Sequence, residues 1–177
     1  MRELHAGGDL RPTVPRIVDR EGVSLRTVWQ QFADREELLA EAVRRDLEIL
    51  LSLVRKIEPD QPLPTRIGSF VGQRARILEE MTPSWRAARI QEPFSGQLSG
   101  NKARMLARAR VELEKVFGPE LARLSGQDRQ QLLDALHAVS VWEFWESLRA
   151  DLGLSLRQAR GVVSATFTAL FAQAGVR

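Results

Sequence analysis

The 177-residue chain fits one domain, or one domain with a small appended module, and its 44% hydrophobic content supports a packed core rather than disorder. Cysteine is absent and histidine occurs only as His5 and His137, which excludes a disulfide scaffold, a thiolate metal site, a cysteine nucleophile and a histidine-built zinc centre. A net charge of +3 is too small to make the whole chain a magnet for polyanions. Residues 1–10 are polar and glycine-rich, with no apolar stretch behind a basic start, so no signal peptide is read. The longest uncharged run, 161–176, is too short and too rich in Ser, Thr and Gln to span a bilayer. A cytoplasmic protein without membrane contact, metal or cofactor is expected.

Helical periodicity dominates, and no alternating run suggests a strand. Thr13 can cap a short helix that tolerates Pro15 in its first turn and closes at Gly22. Val23 is expected inside the turn. Ser24 then caps a second short helix, 25–32, whose Val28 and Phe32 face Ile17 and Val23. A long amphipathic helix follows over 36–57, with Leu39, Val43, Leu47, Leu50, Val54 and Ile57 at helical steps and Asp34 with Glu37 as a capping box. Pro59, Pro62 and Pro64 end it.

Further helices are expected over 65–81, stopped by Pro83, and over 84–90. Residues 91–100 read as a loop. Helix resumes over 101–117, with Met105, Ala109 and Leu113 on one face, and halts at Gly118-Pro119. A single long helix is expected over 127–152, ended by Gly153, and a last one, capped by Ser155, to about residue 174. These two are apolar on several sides, which suggests cover from more than one direction. One reading is a homodimer joined through Leu133, Leu136, Phe144, Val163, Phe167, Leu170 and Phe171; the other is a buried central hairpin in a monomer.

Two short helices joined by a tight glycine turn make a helix-turn-helix, whose second helix enters the DNA major groove. Its outward side chains suit that task. Arg26 can donate twice to guanine and Gln30 can pair with adenine, while Thr27, Trp29 and Gln31 offer donors for phosphate. Arg35, at the start of the long helix, adds a positive charge where the helix end already favours phosphate. The plain alternative is a solvated polar face. Acids slightly outnumber bases between Met1 and Glu58, so any positive potential there is local.

Gly22-Val23-Ser24, Thr27-Val28-Trp29-Gln30-Gln31-Phe32 and Asp34-Arg35-Glu36-Glu37-Leu38-Leu39 together resemble the DNA-binding signature of the tetracycline-repressor family over about thirty residues. Thr13 and Ile17 match the preceding helix. The resemblance implies an all-α homodimeric regulator, usually a repressor, in which a small molecule bound to the C-terminal bundle releases a palindromic operator. It divides the chain into a helix-turn-helix head, 1–45, and a ligand-binding and dimerisation bundle, 46–177. It assigns Thr13, Thr27, Trp29, Gln31 and Arg35 to phosphates, and Leu25, Arg26 and Gln30 to base edges, with Ser24 capping the reading helix. Trp29 stands where the family usually has Tyr, Gln31 for His, Arg26 for a small residue and Val18 for Ala. Residues 2–6 resemble only the last turns of the family's first helix, so the resemblance leads to the expectation that the true start lies upstream, the alternative being a weak head.

Phe70, Arg74, Trp85, Phe94, Met105, Trp142 and Glu143 are candidates for an effector cavity between helices, with plain core packing as the alternative. Glu143 and Glu146 share a face and could select a cationic ligand, or simply meet solvent. Asp134 and His137 are three apart, but no nucleophile can be placed beside them, and no phosphate-cradling glycine motif occurs. No enzyme is expected. The rival reading is a helical bundle that binds a ligand or partner with a degenerate, non-DNA-binding head.

Overall fold

The computed structural model describes residues 1–176. Among them every regular element is helical and no strand occurs. The helices are α1 (Arg2–Ala6), α2 (Val14–Glu21), α3 (Leu25–Gln31), α4 (Arg35–Leu53), α5 (Leu63–Gln91), α6 (Gly96–Val116), α7 (Gly118–Leu121), α8 (Gly126–Ala138), α9 (Trp142–Glu146) and α10 (Leu156–Gln173). A 3-10 turn, Glu92–Phe94, precedes α6, and a π-helical turn, Ser147–Asp151, follows α9. No helix among the described residues is long and apolar enough to cross a membrane.

The chain divides into two compact units, Met1–Ser52 with Glu80–Arg104, and Leu53–Glu79 with Met105–Arg177. The first contains the whole of the expected head, 1–45, and adds α4 as far as Ser52, the second part of α5, the 3-10 turn and the start of α6. Arg177, the last residue of the expected bundle, lies outside the described residues.

Several element boundaries differ from the sequence expectation, each for a local reason. Helix α4 ends at Leu53 rather than at residue 57. The Arg55 N–H donates instead to the Gln73 side chain, 2.5 Å away, which takes the backbone out of the helix. Pro83 does not stop a helix but sits inside α5. Its missing N–H and its ring cost about 3 kcal/mol in a helix interior. Burial on both sides offsets this, since Ile77, Leu78, Met81, Ser84 and Ala87 are all buried. Residues 96–100, expected in a loop, begin α6, because Ser95 Oγ accepts from the Leu98 N–H and serves as the cap.

The expected single helix over 127–152 is broken. At Val139–Val141 the Ser140 N–H and hydroxyl both donate to the His137 carbonyl, closing the turn, and Val141 takes an extended conformation before α9. The π-helical turn then ends at Gly153, whose φ of 62° lets the Leu154 N–H reach back to the Leu148 carbonyl. Ser155 forms a full capping box with Gln158 at the start of α10, as its position suggested.

In the first unit Ile17, Val18, Val28, Leu38, Leu39 and Leu50 are buried, as are Met81, Ala87 and Leu98. Arg2 pins α1 through ion pairs of 2.7 Å to Asp46 and to Glu80. The second unit is built on an aromatic cluster. The Phe117 ring lies 5.5 Å from Phe70, 5.8 Å from Phe167 and 5.1 Å from Phe171, in edge and tilted geometries. Arg66 covers it: its guanidinium sits over the Phe117 ring and pairs with the buried Glu120, at 2.7 and 2.5 Å. Two backbone carbonyls, Gln61 and Val116, accept two more of its N–H groups.

Burial holds His137 below the ordinary imidazole range, helped by the positive charge of Arg110, and burial helped by the N-terminal charge holds His5 down. The folded state therefore binds protons less readily than the unfolded chain at both sites. Stability is expected to fall as pH drops below about 6.5, where the unfolded histidines charge first. Urea midpoints at stepwise pH should show this slope flattened in the double variant His5→Gln, His137→Gln. An unchanged slope in that variant would assign the effect to other groups.

Candidate nucleic-acid interface

Helices α2 and α3 meet at a turn made by Gly22, whose φ of 68° is the left-handed conformation that a side chain disfavours. The Val23 N–H closes the turn onto the Val18 carbonyl at 3.1 Å. Thr13 occupies the N-cap position of α2 but its hydroxyl makes no cap bond. Ser24 does cap α3: its Oγ accepts from the Thr27 N–H at 3.0 Å and bonds the Thr27 hydroxyl at 2.9 Å. Val28 is buried and Phe32 half-buried, whereas Val23, expected inside the turn, is 43% exposed. The turn bends away from the core, so the apolar anchors are Ile17, Val18 and Val28.

The outer side of α3 carries Leu25, Arg26, Trp29, Gln30 and Gln31, all exposed, with Leu25 at 43% and Trp29 at 45%. Leu25 and Trp29 are one turn apart, as are Arg26 and Gln30, so the four form a contiguous patch. Thr13, Ser24 and Arg35 are exposed too, and Thr27 is half-buried. Arg35 donates to Gln91 Oε1, a neutral partner that leaves its charge uncompensated.

The nearby acids are occupied. Asp34 Oδ1 accepts from the Glu37 N–H at 2.9 Å, and Glu37 reaches the Ala33 N–H at 2.5 Å, one residue short of the expected capping box. Glu36 accepts from the Ser95 hydroxyl at 2.8 Å. Carboxylates drawn to the start of α4 in this way leave Arg26 as the charge that α3 presents.

The expected effector residues scatter. Trp85 and Phe94 belong to the first unit, and Phe70, Arg74, Met105, Trp142 and Glu143 to the second. Phe70 is buried in the aromatic cluster, while Phe94 is 77% exposed with the Arg11 guanidinium 5.8 Å from its ring centroid. Arg74 pairs with Glu112 at 2.9 Å and lies over the Phe70 ring, and burial lowers its pKa. Met105, Trp85, Trp142 and Glu143 are half-buried. The second unit has an open groove of about 360 Å³, and none of the seven lines it. Its walls are Arg55, Lys56, Gln61 and Arg76 around Gly68 and Gly72, a set that periodicity of apolar residues could not reveal.

Of the expected interface residues, Leu133, Leu136, Val163, Phe167 and Phe171 are buried within a single chain, and only Phe144 and Leu170 keep partial exposure. A residue already packed in its own core has no surface left for a second copy. Asp134 and His137 form no dyad: the Asp134 carboxylate accepts from Arg110 at 2.6 Å and from Gln130, and the Arg110 bond lowers its pKa.

No family model, curated protein or solved structure matches the chain.

Proposed function

We propose that this protein is a DNA-binding transcriptional regulator of the tetracycline-repressor kind, a homodimer that reads a palindromic operator and is released by a small-molecule effector. The observation that carries the reading is the α2–Gly22–α3 turn, with Ser24 capping a helix whose Leu25, Arg26, Trp29 and Gln30 stand together in solvent. A helix-turn-helix presents its second helix to the major groove in this way. Arg26 and Gln30 read bases, and Thr13, Thr27, Trp29, Gln31 and Arg35 hold phosphates.

The homodimer is supported by the outer face of α10. Beyond Arg157 and Arg160, which are exposed on its first turns, Gly161, Val162, Ala165, Thr168, Ala169 and Ala172 are exposed and uncharged. An uncharged helix face of that length suits a second helix.

Binding to a panel of half-site variants at several salt concentrations tests the DNA reading. Arg26→Ala should cost about 1–3 kcal/mol on the cognate site and flatten preference at one base pair. Arg35→Ala should weaken all sequences alike and reduce the salt slope by about one. If Arg26→Ala leaves the base preference intact, α3 does not enter the groove. Absence of any sequence preference in the unaltered protein would favour a bundle that binds a ligand or partner without DNA.

A further inference from the structure

Once past α4, residues 54–58 run beside α5 because the Arg55 N–H is held by Gln73. Gln73 is itself buried and fixed by its Nε2 donating to Glu112 Oε1 at 2.8 Å. This anchoring sets Arg55 and Lys56 on one wall of the open groove. The floor is α5, where Gly68 and Gly72 lie one turn apart with Ser69 between them, and Arg76 stands one turn beyond Gly72. A Cβ at Gly68 would meet nothing within 4 Å, and one at Gly72 would meet only the Arg160 guanidinium, its Nη2 at 3.2 Å.

Glycine is among the poorest helix formers. Packing gives no reason for it at Gly68, so the bare backbone serves to keep the floor open. Arg55, Lys56 and Arg76 line the groove, and the Arg160 guanidinium lies beside Gly72. Lys56 pairs with Glu58 at 2.9 Å, whereas Arg76 and Arg160 have no acidic partner among the described residues.

We propose that this groove binds a small, multiply charged anion of the pyrophosphate class, gripped by Arg55, Lys56, Arg76 and Arg160 above the Gly68–Gly72 floor. Its volume falls within the range of about 300–1,000 Å³ typical of small-molecule sites, and the polar part of its mixed lining is supplied largely by cationic side chains, with Ile57 on the apolar side. Guanidinium groups meet phosphate oxygens two at a time, and the Ser69 hydroxyl adds a donor at the floor. All of these residues lie in the second unit, so the site stands whether or not the protein binds DNA.

The test is an NMR titration of the whole chain with sodium pyrophosphate at constant ionic strength, with citrate as a parallel arm. Saturable shifts at the Gly68, Gly72 and Lys56 amides are expected, with citrate the weaker ligand. Gly68→Glu places a carboxylate over the floor in open space and replaces a poor helix former, so it should fold and yet weaken binding by at least about tenfold. Arg76→Ala should weaken it in the same direction. An absence of saturable shifts, equal affinity in Gly68→Glu, or citrate binding as tightly as pyrophosphate would overturn the proposal.

Discussion

Arg66→Ala is expected to lower the unfolding free energy by about 3–5 kcal/mol, because it strands a buried carboxylate. Arg66 and Glu120 are almost fully enclosed, with side-chain exposures of 3% and 4%. The guanidinium meets both Glu120 oxygens and two backbone carbonyls, so nearly every donor has a partner. Removing it leaves the Glu120 charge and the Gln61 and Val116 carbonyls without those bonds, and also uncovers the Phe117 ring. Replacing both partners together, as Arg66→Met with Glu120→Leu, should recover most of the loss, since no charge then remains to be desolvated. Urea unfolding followed by circular dichroism measures both. A loss below about 1 kcal/mol for the single variant would show that water reaches the pair, as it does for surface bridges.

Phe167→Ala should cost a similar amount, about 3–5 kcal/mol, through lost burial and the cavity it leaves. The Phe167 ring is completely buried and lies within 5.8 Å of Phe117 and 5.5 Å of Phe70. The loss should not vary with protein concentration, because these contacts form within one chain. Val162→Glu with Ala169→Glu makes the opposite prediction. Both positions are exposed on α10, so unfolding of the single chain should change by no more than about 0.5 kcal/mol, the usual range for surface sites. Light scattering should then show monomer in place of the proposed dimer. If Phe167→Ala instead dissociates a dimer without loss of chain stability, the interface lies on the inner face of α10.

Residues that act through their own backbone were legible from the chain alone. Gly22 and Ser24 marked the α2–α3 turn because left-handed φ and a side-chain acceptor for a free N–H are local needs. Ser155 and Gln158 marked the start of α10 on the same ground. The polar outer positions of α3 followed from helical spacing once Val28 was placed inward. Val23 was misplaced because an apolar residue in a turn is only weakly directed, and here it points to solvent.

The all-helical class, the α2–α3 turn and the caps of α3 and α10 were therefore determined by the sequence itself, through interactions a few residues long. Tertiary structure alone decided the rest. It carried α5 through Pro83, since burial on both sides outweighs one missing hydrogen bond. It ended α4 early by giving the Arg55 N–H to Gln73, eighteen residues away in sequence. It also turned the apolar faces of α8 and α10 into the interior of one chain, and brought Arg55 beside Gly68 and Arg76 to line the groove. Those outcomes depend on which surfaces meet, and periodicity states only that a face is apolar, never what covers it.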